Sequence, residues 1–237
     1  MDMALRRRVL RYDQNRERPM TELQAVRWGP AAGGAPQQLV VLCHGLGADG
    51  RDLIGLAPGW GAALPHAAFA APDGPEPCDM APMGRQWFSL GNRAPAVMAS
   101  EIKRARPALD AFIDAELAQL ALPSTAYALM GFSQGAMMVL YTGLRRIHAP
   151  RAILGYSGAL VAPDMLGAER RNAAPVLLVH GIADGVVEVA RSQAAEAALL
   201  AEGVKVKARY TPGLEHGIDP GGIAAGAAFL SDAFSGL

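Results

Sequence analysis

"AYALMGFSQGAMMVLYTGLRR", residues 126–146, changes character at its middle. An apolar run of strand length meets Gly131-Phe132-Ser133-Gln134-Gly135. Beyond Ser133 the apolar side chains fall at Met137, Leu140, Tyr141 and Leu144, which is helical spacing. Strand, sharp turn and helix is the context in which the serine of a GxSxG match is lifted into a nucleophile elbow, and the context is needed, because the match alone is weak in a chain with 27 glycines. The flanking glycines have a steric reason. The serine takes a strained backbone conformation, and side chains on either side of it would find no room. Such a turn exposes the Ser133 hydroxyl and sets the Gln134 amide at a helix N-terminus, where a developing oxyanion is stabilised.

Outward from this stretch, runs rich in Val, Leu and Ala recur and end in Gly, Pro or Asp. The candidate strands are "TELQAVRWG", "QLVVLCHG", "AAFAAPDG", "TAYALMGF", "RAILGYSG", "PVLLVHGIAD" and "VKVKARYTPG". Several are apolar throughout, as in a parallel sheet covered on both faces. Longer amphipathic segments separate them, so the chain reads as α/β, a central mostly parallel sheet with helices on both sides. Residues 96–121 space Val97, Ile102, Leu109, Phe112, Ile113, Leu117 and Leu120 helically, and Pro107 inside this segment predicts a kink or a division into two helices. "GVVEVARSQAAEAALLAEG", closed by Gly203, and "PGGIAAGAAFLSDAF", capped by Asp219, read as two further helices. The stretch from Pro72 to Pro95 is long, aperiodic and rich in Pro and Gly, yet carries Trp87 and Phe88, which favours a functional loop.

With 22 basic and 22 acidic residues in 237 the net charge is zero, which disfavours nucleic acid and anionic membranes as partners. No apolar run is long enough to span a bilayer, so no stable membrane insertion is expected. The charge is uneven only at residues 1–20, a basic arm with six arginines between Arg6 and Arg18, read as a solvated terminus; residues 21–237 read as one catalytic domain. Two cysteines form no disulfide framework, and no apolar segment follows the early arginines, so free thiols and a cytoplasmic setting are expected.

A serine hydroxyl needs a base, and the base needs an orienting carboxylate. "PVLLVHGIADGVV" delivers Asp184 to a loop after an apolar strand, and "YTPGLEHGID" delivers His216 after the last one, both downstream of Ser133. His44 and His180 each precede a glycine at a strand end and read as backbone-bonded structural residues; His66 and His148 read as surface residues. "GLGADG", Gly45 to Gly50, also fits a dinucleotide-binding fingerprint, with Asp73 placed to meet a ribose. Against this stand the charge of Asp49 beside a pyrophosphate, the interruption at Pro58 and Gly59, and His44 at the phosphate position. The better reading is a strand-to-helix loop that supplies a second oxyanion donor, the amide of Leu46. No HExxH or CxxC pair and no carboxylate cluster suggests a metal, and no cofactor is expected.

Taken in order, "HGLGADGRDLI", "GFSQGAMM", "HGIADGVV" and "LEHGID" resemble the phospholipase/carboxylesterase family of α/β-hydrolases, the group that includes acyl-protein thioesterases. The resemblance runs from about Leu39 to the C-terminus. It implies an α/β-hydrolase fold, a Ser133, His216, Asp184 triad, an oxyanion hole from the amides of Leu46 and Gln134, and cleavage of small or medium acyl esters, with lysophospholipids and acyl thioesters as further substrates, through an acyl-enzyme. "RQWFSL" looks like the family's Trp-containing loop and implies that Trp87 lies near the acyl-binding groove. The chain departs from the family at Ala136, where a second glycine is frequent, and at Val187, where a proline is frequent; both touch substrate fit rather than chemistry. An apolar groove open to solvent can also serve as a homodimer contact. Two other classes remain open on sequence alone, a dinucleotide-dependent oxidoreductase and a non-catalytic binding protein of the same fold.

Overall fold

The computed structural model describes residues 23–235; the basic arm at residues 1–20 lies outside them. In chain order the elements are β1 (Ala25–Trp28), β2 (Gln38–Cys43), α1 (Gly50–Ile54), α2 (Ala57–Ala63), β3 (Ala67–Pro72), β4 (Glu76–Pro77), β5 (Arg85–Gln86) and α3 (Pro95–Gln119). Then come β6 (Tyr127–Phe132), α4 (Gln134–Gly143), β7 (Ile153–Tyr156), α5 (Leu166–Glu169), β8 (Val176–Gly181), α6 (Val189–Ala201), β9 (Val206–Thr211) and α7 (Pro220–Phe234). Seven strands form one sheet in the order β1-β3-β2-β6-β7-β8-β9. Only β1 runs antiparallel to its neighbour, and the other pairs are parallel.

The α/β reading of the sequence therefore matches the architecture, and the apolar runs explain it. Successive side chains of a strand face opposite sides of the sheet. Leu39, Val41 and Cys43 of β2 enter one core with Ile102, Leu109 and Phe112 of α3, Met138 of α4 and Leu199 of α6. Val40 and Leu42 enter the other with Leu53 of α1, Trp60 of α2 and Phe229 and Leu230 of α7. Two polar groups in the second core bond to α7: the Trp60 indole donates to the Ile223 carbonyl at 3.0 Å and the Tyr156 hydroxyl to that of Gly222 at 2.9 Å, fixing α7 on the sheet.

Pro107 neither divides the segment nor ends it, since α3 is a single helix of 25 residues. Its position explains the tolerance. Pro107 is exposed, as is Lys103, whose carbonyl loses the missing N–H, so water can satisfy that oxygen. Meanwhile Ile102, Ala105, Leu109, Phe112, Ile113 and Leu117 keep one face of the helix buried on both sides of the proline. Helix α6 ends as its glycine predicts. Gly203 lies at φ 73°, its N–H reaches the Leu200 carbonyl at 3.0 Å, and the Val204 N–H reaches that of Leu199 at 3.0 Å. Asp219 caps α7, accepting the Gly222 amide at 2.8 Å.

All parallel strands point their C-terminal ends to the same edge, which is where open α/β sheets place ligands. The connections leaving β2, β6, β8 and β9 there carry Leu46, Ser133, Asp184 and His216.

Candidate active site

Ser133 sits between β6 and α4 with φ 54° and ψ −115°, a left-handed conformation that side chains rarely adopt. Its amide donates to the Tyr156 carbonyl of β7 at 2.8 Å, which holds the turn in the sheet. Each flanking glycine has a definite obstacle. A Cβ on Gly131 would run into the Gly135 carbonyl oxygen, and one on Gly135 into that of Cys43. The tight turn thus packs the start of α4 directly onto the end of β2. The connection from β2 closes over the same point, since a Cβ on Gly45 would lie 3.4 Å from Cβ of Ser133. Among the described residues no protein acceptor takes the amide of Leu46 or of Gln134.

His216 and Asp184 meet from separate connections. His216 Nδ1 lies 2.6 Å from Asp184 Oδ2, and the imidazole packs on the Phe132 ring, centroid to centroid 4.8 Å, beside Ser133. Asp184 Oδ1 accepts the amides of Val186 at 2.8 Å and Val187 at 2.9 Å. Burial pushes the Asp184 carboxyl up, but the bond from His216, the two loop amides and the charge of His216 outweigh it and hold the group below the ordinary carboxylate range. A carboxylate so held accepts the Nδ1 hydrogen and leaves Nε2 of His216 as the free ring nitrogen.

The other histidines separate by environment. His44 is buried; its Nδ1 meets the Gly45 carbonyl at 2.7 Å and its Nε2 accepts the Gly74 amide at 2.8 Å. Burial pushes this imidazole below its ordinary value, against the Gly45 carbonyl and the charges of Asp73, Asp49 and Asp52. His44 is the backbone-bonded residue that its strand-end position predicts. His180 is backbone-bonded as well, to the Val187 carbonyl at 2.8 Å, but its Nε2 also lies 3.1 Å from Asp184 Oδ2. His66 and His148 are exposed.

Ser133, His216, Leu46 and Gln134 line one cavity of about 1300 Å³. Its walls are mainly apolar: Leu90, Met98 at the start of α3, Met137 of α4, and Leu160, Val161 and Met165 of the β7–α5 connection. Trp87 is not on that wall. It is fully buried, because its indole N–H donates to the His44 carbonyl at 3.0 Å and draws the ring beneath the β2 connection. Trp87 therefore supports the Leu46 loop, and Leu90 and Arg93 carry its segment to the cavity instead.

Two features were not legible from motifs. The buried side chain of Gln134 accepts the Trp87 amide at 2.9 Å and donates to the Phe88 carbonyl at 2.7 Å, tying the long loop to the elbow. Ala136 faces Gly158, at which a Cβ would collide with that of Ala136, so the methyl group added here is matched by a missing one across the site. The dinucleotide reading finds no support in the geometry. Helix α1 has five residues, and Asp73 is occupied by the Gly50 amide at 2.9 Å rather than left for a ribose. Among the described residues no group of three or more His, Cys, Asp or Glu side chains could hold a metal ion.

Comparison with known proteins gives a consistent result. The phospholipase/carboxylesterase family profile matches residues 31–233. The chain belongs to this family. It is 31% identical over 184 residues to esterase YpfH of Escherichia coli (strain K12), covering 77% of each chain. It is 32% identical over 163 residues to acyl-protein thioesterase 1 of Schizosaccharomyces pombe, covering 65% of this chain and 72% of that protein. Among solved structures, esterase PE8 superposes with a TM-score of 0.85 at 40% identity, covering 90% of this chain and 100% of that one. Arabidopsis thaliana SOBER1 shares the fold, with a TM-score of 0.73 at 23% identity over 83% of this chain and 99% of that one. The protein is a carboxylesterase-type hydrolase with the α/β-hydrolase fold. Among the described residues no helix is long and apolar enough to cross a membrane.

Proposed function

We propose that the protein is a serine esterase that cleaves small or medium acyl esters, and acyl thioesters or lysophospholipids of matching size, through an acyl-enzyme on Ser133. The observation that carries this reading is the 2.6 Å bond between His216 and Asp184, with His216 and the strained Ser133 lining one apolar cavity. In the proposed reaction Nε2 of His216 takes the Ser133 proton as Oγ adds to the acyl carbon, and Asp184 stabilises the imidazolium without being protonated. The amides of Leu46 and Gln134 receive the carbonyl oxygen as it becomes an oxyanion; one such donor is worth about 3 kcal/mol of transition-state stabilisation. Expulsion of the alcohol or thiol takes the proton back from His216. Water, activated by the same nitrogen, then releases the acid.

The acyl chain is assigned to the wall of Leu90, Met98, Met137 and Leu160, where burial of each methylene contributes about 0.8 kcal/mol. A cytoplasmic setting suits the two cysteines, both free; burial pushes the Cys43 thiol up, which keeps it protonated. The test is a series of p-nitrophenyl esters of rising chain length with wild type and Ser133→Ala. The proposal expects kcat/KM to rise with chain length and then level off, and the mutant to lose about 10³-fold or more in kcat. Equal turnover by wild type and mutant would overturn it.

A further inference from the structure

The imidazole of His44 is fully buried just beyond β2, and each ring nitrogen meets one backbone group. Nε2 lies 2.8 Å from the Gly74 amide, which can only donate, so this nitrogen is the acceptor. Nδ1 then carries the ring hydrogen, and it lies 2.7 Å from the Gly45 carbonyl oxygen, which can only accept. The two partners fix the Nδ1–H tautomer. Burial, which pushes this imidazole below its ordinary value, keeps the ring neutral.

The carbonyl that His44 binds belongs to the same peptide unit as the Leu46 N–H. A peptide is planar and trans, so its C=O and N–H point in opposite directions, and a grip on the oxygen aims the hydrogen. The Leu46 amide is thereby turned away from His44, and Leu46 lines the same cavity as Ser133. The Gly45 oxygen also accepts the Ala48 amide at 3.2 Å, across a turn in which Gly47 takes φ 79°.

We infer that His44 is a positioning residue for the oxyanion hole: its Nδ1–H holds the carbonyl of the Gly45–Leu46 peptide and so aims and polarises the Leu46 amide. This rests on the proposed role of that amide as an oxyanion donor. A carbonyl that accepts a hydrogen bond makes the N–H of its own peptide a stronger donor, so the series from the Gly74 amide through the imidazole to the Leu46 amide is cooperative. Both ends of the series are anchored. Arg85 Nε donates to the Gly74 carbonyl at 2.8 Å, and a Cβ on Gly74 would strike the Gln86 carbonyl oxygen. At the other end the Gly47 amide donates to the Arg85 carbonyl at 2.9 Å and the Arg85 amide to that of Ala48 at 2.8 Å. The ring therefore bridges two segments that are themselves joined, and it cannot turn over without breaking both of its bonds.

The test has two readouts that need no turnover and one that does. A long-range proton–nitrogen NMR spectrum of the wild-type ring is expected to show His44 as the Nδ1–H tautomer. The amide nitrogen line of Leu46, and kcat and KM on a short p-nitrophenyl ester, are then compared for wild type, His44→Leu, His44→Asn and His44→Gln. Leucine fills the space without a bond, so the Leu46 line is expected to move upfield. Removing an oxyanion donor costs about 10²–10³ in kcat, and His44 acts on one donor through its peptide, so kcat is expected to fall about tenfold with KM within about twofold. The acid limb of the pH profile is expected to stay in place, because among the described residues no hydrogen bond joins His44 to His216 or Asp184. Asparagine, whose amide can donate from the place of Nδ1, is expected to restore line and kcat; glutamine, which reaches the place of Nε2, is not. An Nε2–H ring in the wild type, or unchanged kcat and line in folded His44→Leu, would overturn the inference. Should His44→Leu not fold, glutamine performing as well as asparagine would do so. A wild type without esterase activity would instead overturn the proposed function, and the tautomer and the Leu46 line would still decide whether His44 holds the peptide.

Discussion

Gly135→Ala tests whether the elbow depends on close contact between α4 and β2. The added methyl would collide with the Cys43 carbonyl oxygen and come 2.6 Å from that of His44, so both obstacles are backbone and neither can rotate away. Relief requires the start of α4 to separate from the end of β2 by close to an ångström. That movement acts on two things at once. Overpacking of this kind costs about 1–3 kcal/mol of stability. Because Gln134 begins α4 and Leu46 follows β2, it also spreads the two proposed oxyanion donors, and a displacement near 1 Å costs about 10²-fold in rate. The assay is kcat/KM on p-nitrophenyl butyrate at a temperature where thermal unfolding shows the variant to be folded. A loss of about 10²-fold or more is expected there. Activity within about threefold of wild type would refute the claim that contact at Gly135 sets the site.

Gly59→Ala is the matching control, since its Cβ would meet nothing within 4 Å and the residue is exposed in α2; a gain of about 0.5–1 kcal/mol is expected in urea unfolding, with unchanged activity. Gln134→Ala removes both bonds to the Trp87–Phe88 backbone and leaves a buried amide and carbonyl unmatched. A loss of about 2–4 kcal/mol is expected, with faster proteolysis in the 72–95 loop than elsewhere. Asp184→Asn tests the pH dependence of stability. The folded carboxyl titrates below its unfolded value of about 3.9, so the unfolded chain binds more protons in the acid range. The stabilisation is thus fully present above the unfolded value and lost as pH falls through the folded one. Urea midpoints are expected to differ most between wild type and variant at neutral pH and to converge in acid; a constant difference would contradict the assignment.

Much of the fold was legible because the strands of a covered parallel sheet are apolar on both faces: β2 and β8 are buried throughout, and β6 up to Phe132 at its end. The elbow was legible because its glycines answer to backbone contacts, that of Gly131 with Gly135 four residues on and that of Gly135 with Cys43 at the end of the neighbouring strand. Pro107 left a division of α3 open in the sequence because its cost depends on which face of the helix it occupies, and only packing determines that. Trp87 was read by its loop, whereas a buried indole goes where its N–H finds an acceptor, here the His44 carbonyl. His180 and Asp184 are four residues apart on a turn, a spacing that carries no signal of proximity outside a helix; their approach to 3.1 Å follows from how the connection folds back over the end of β8.

The central claim is that Ser133 is an activated nucleophile, and fluorophosphonate labelling read by intact mass and peptide mapping, on wild type and Ser133→Ala, tests it most directly. The account predicts one adduct, on the peptide containing Ser133, absent from the mutant. Folded wild-type protein that takes no adduct, or takes it at another residue, would contradict it.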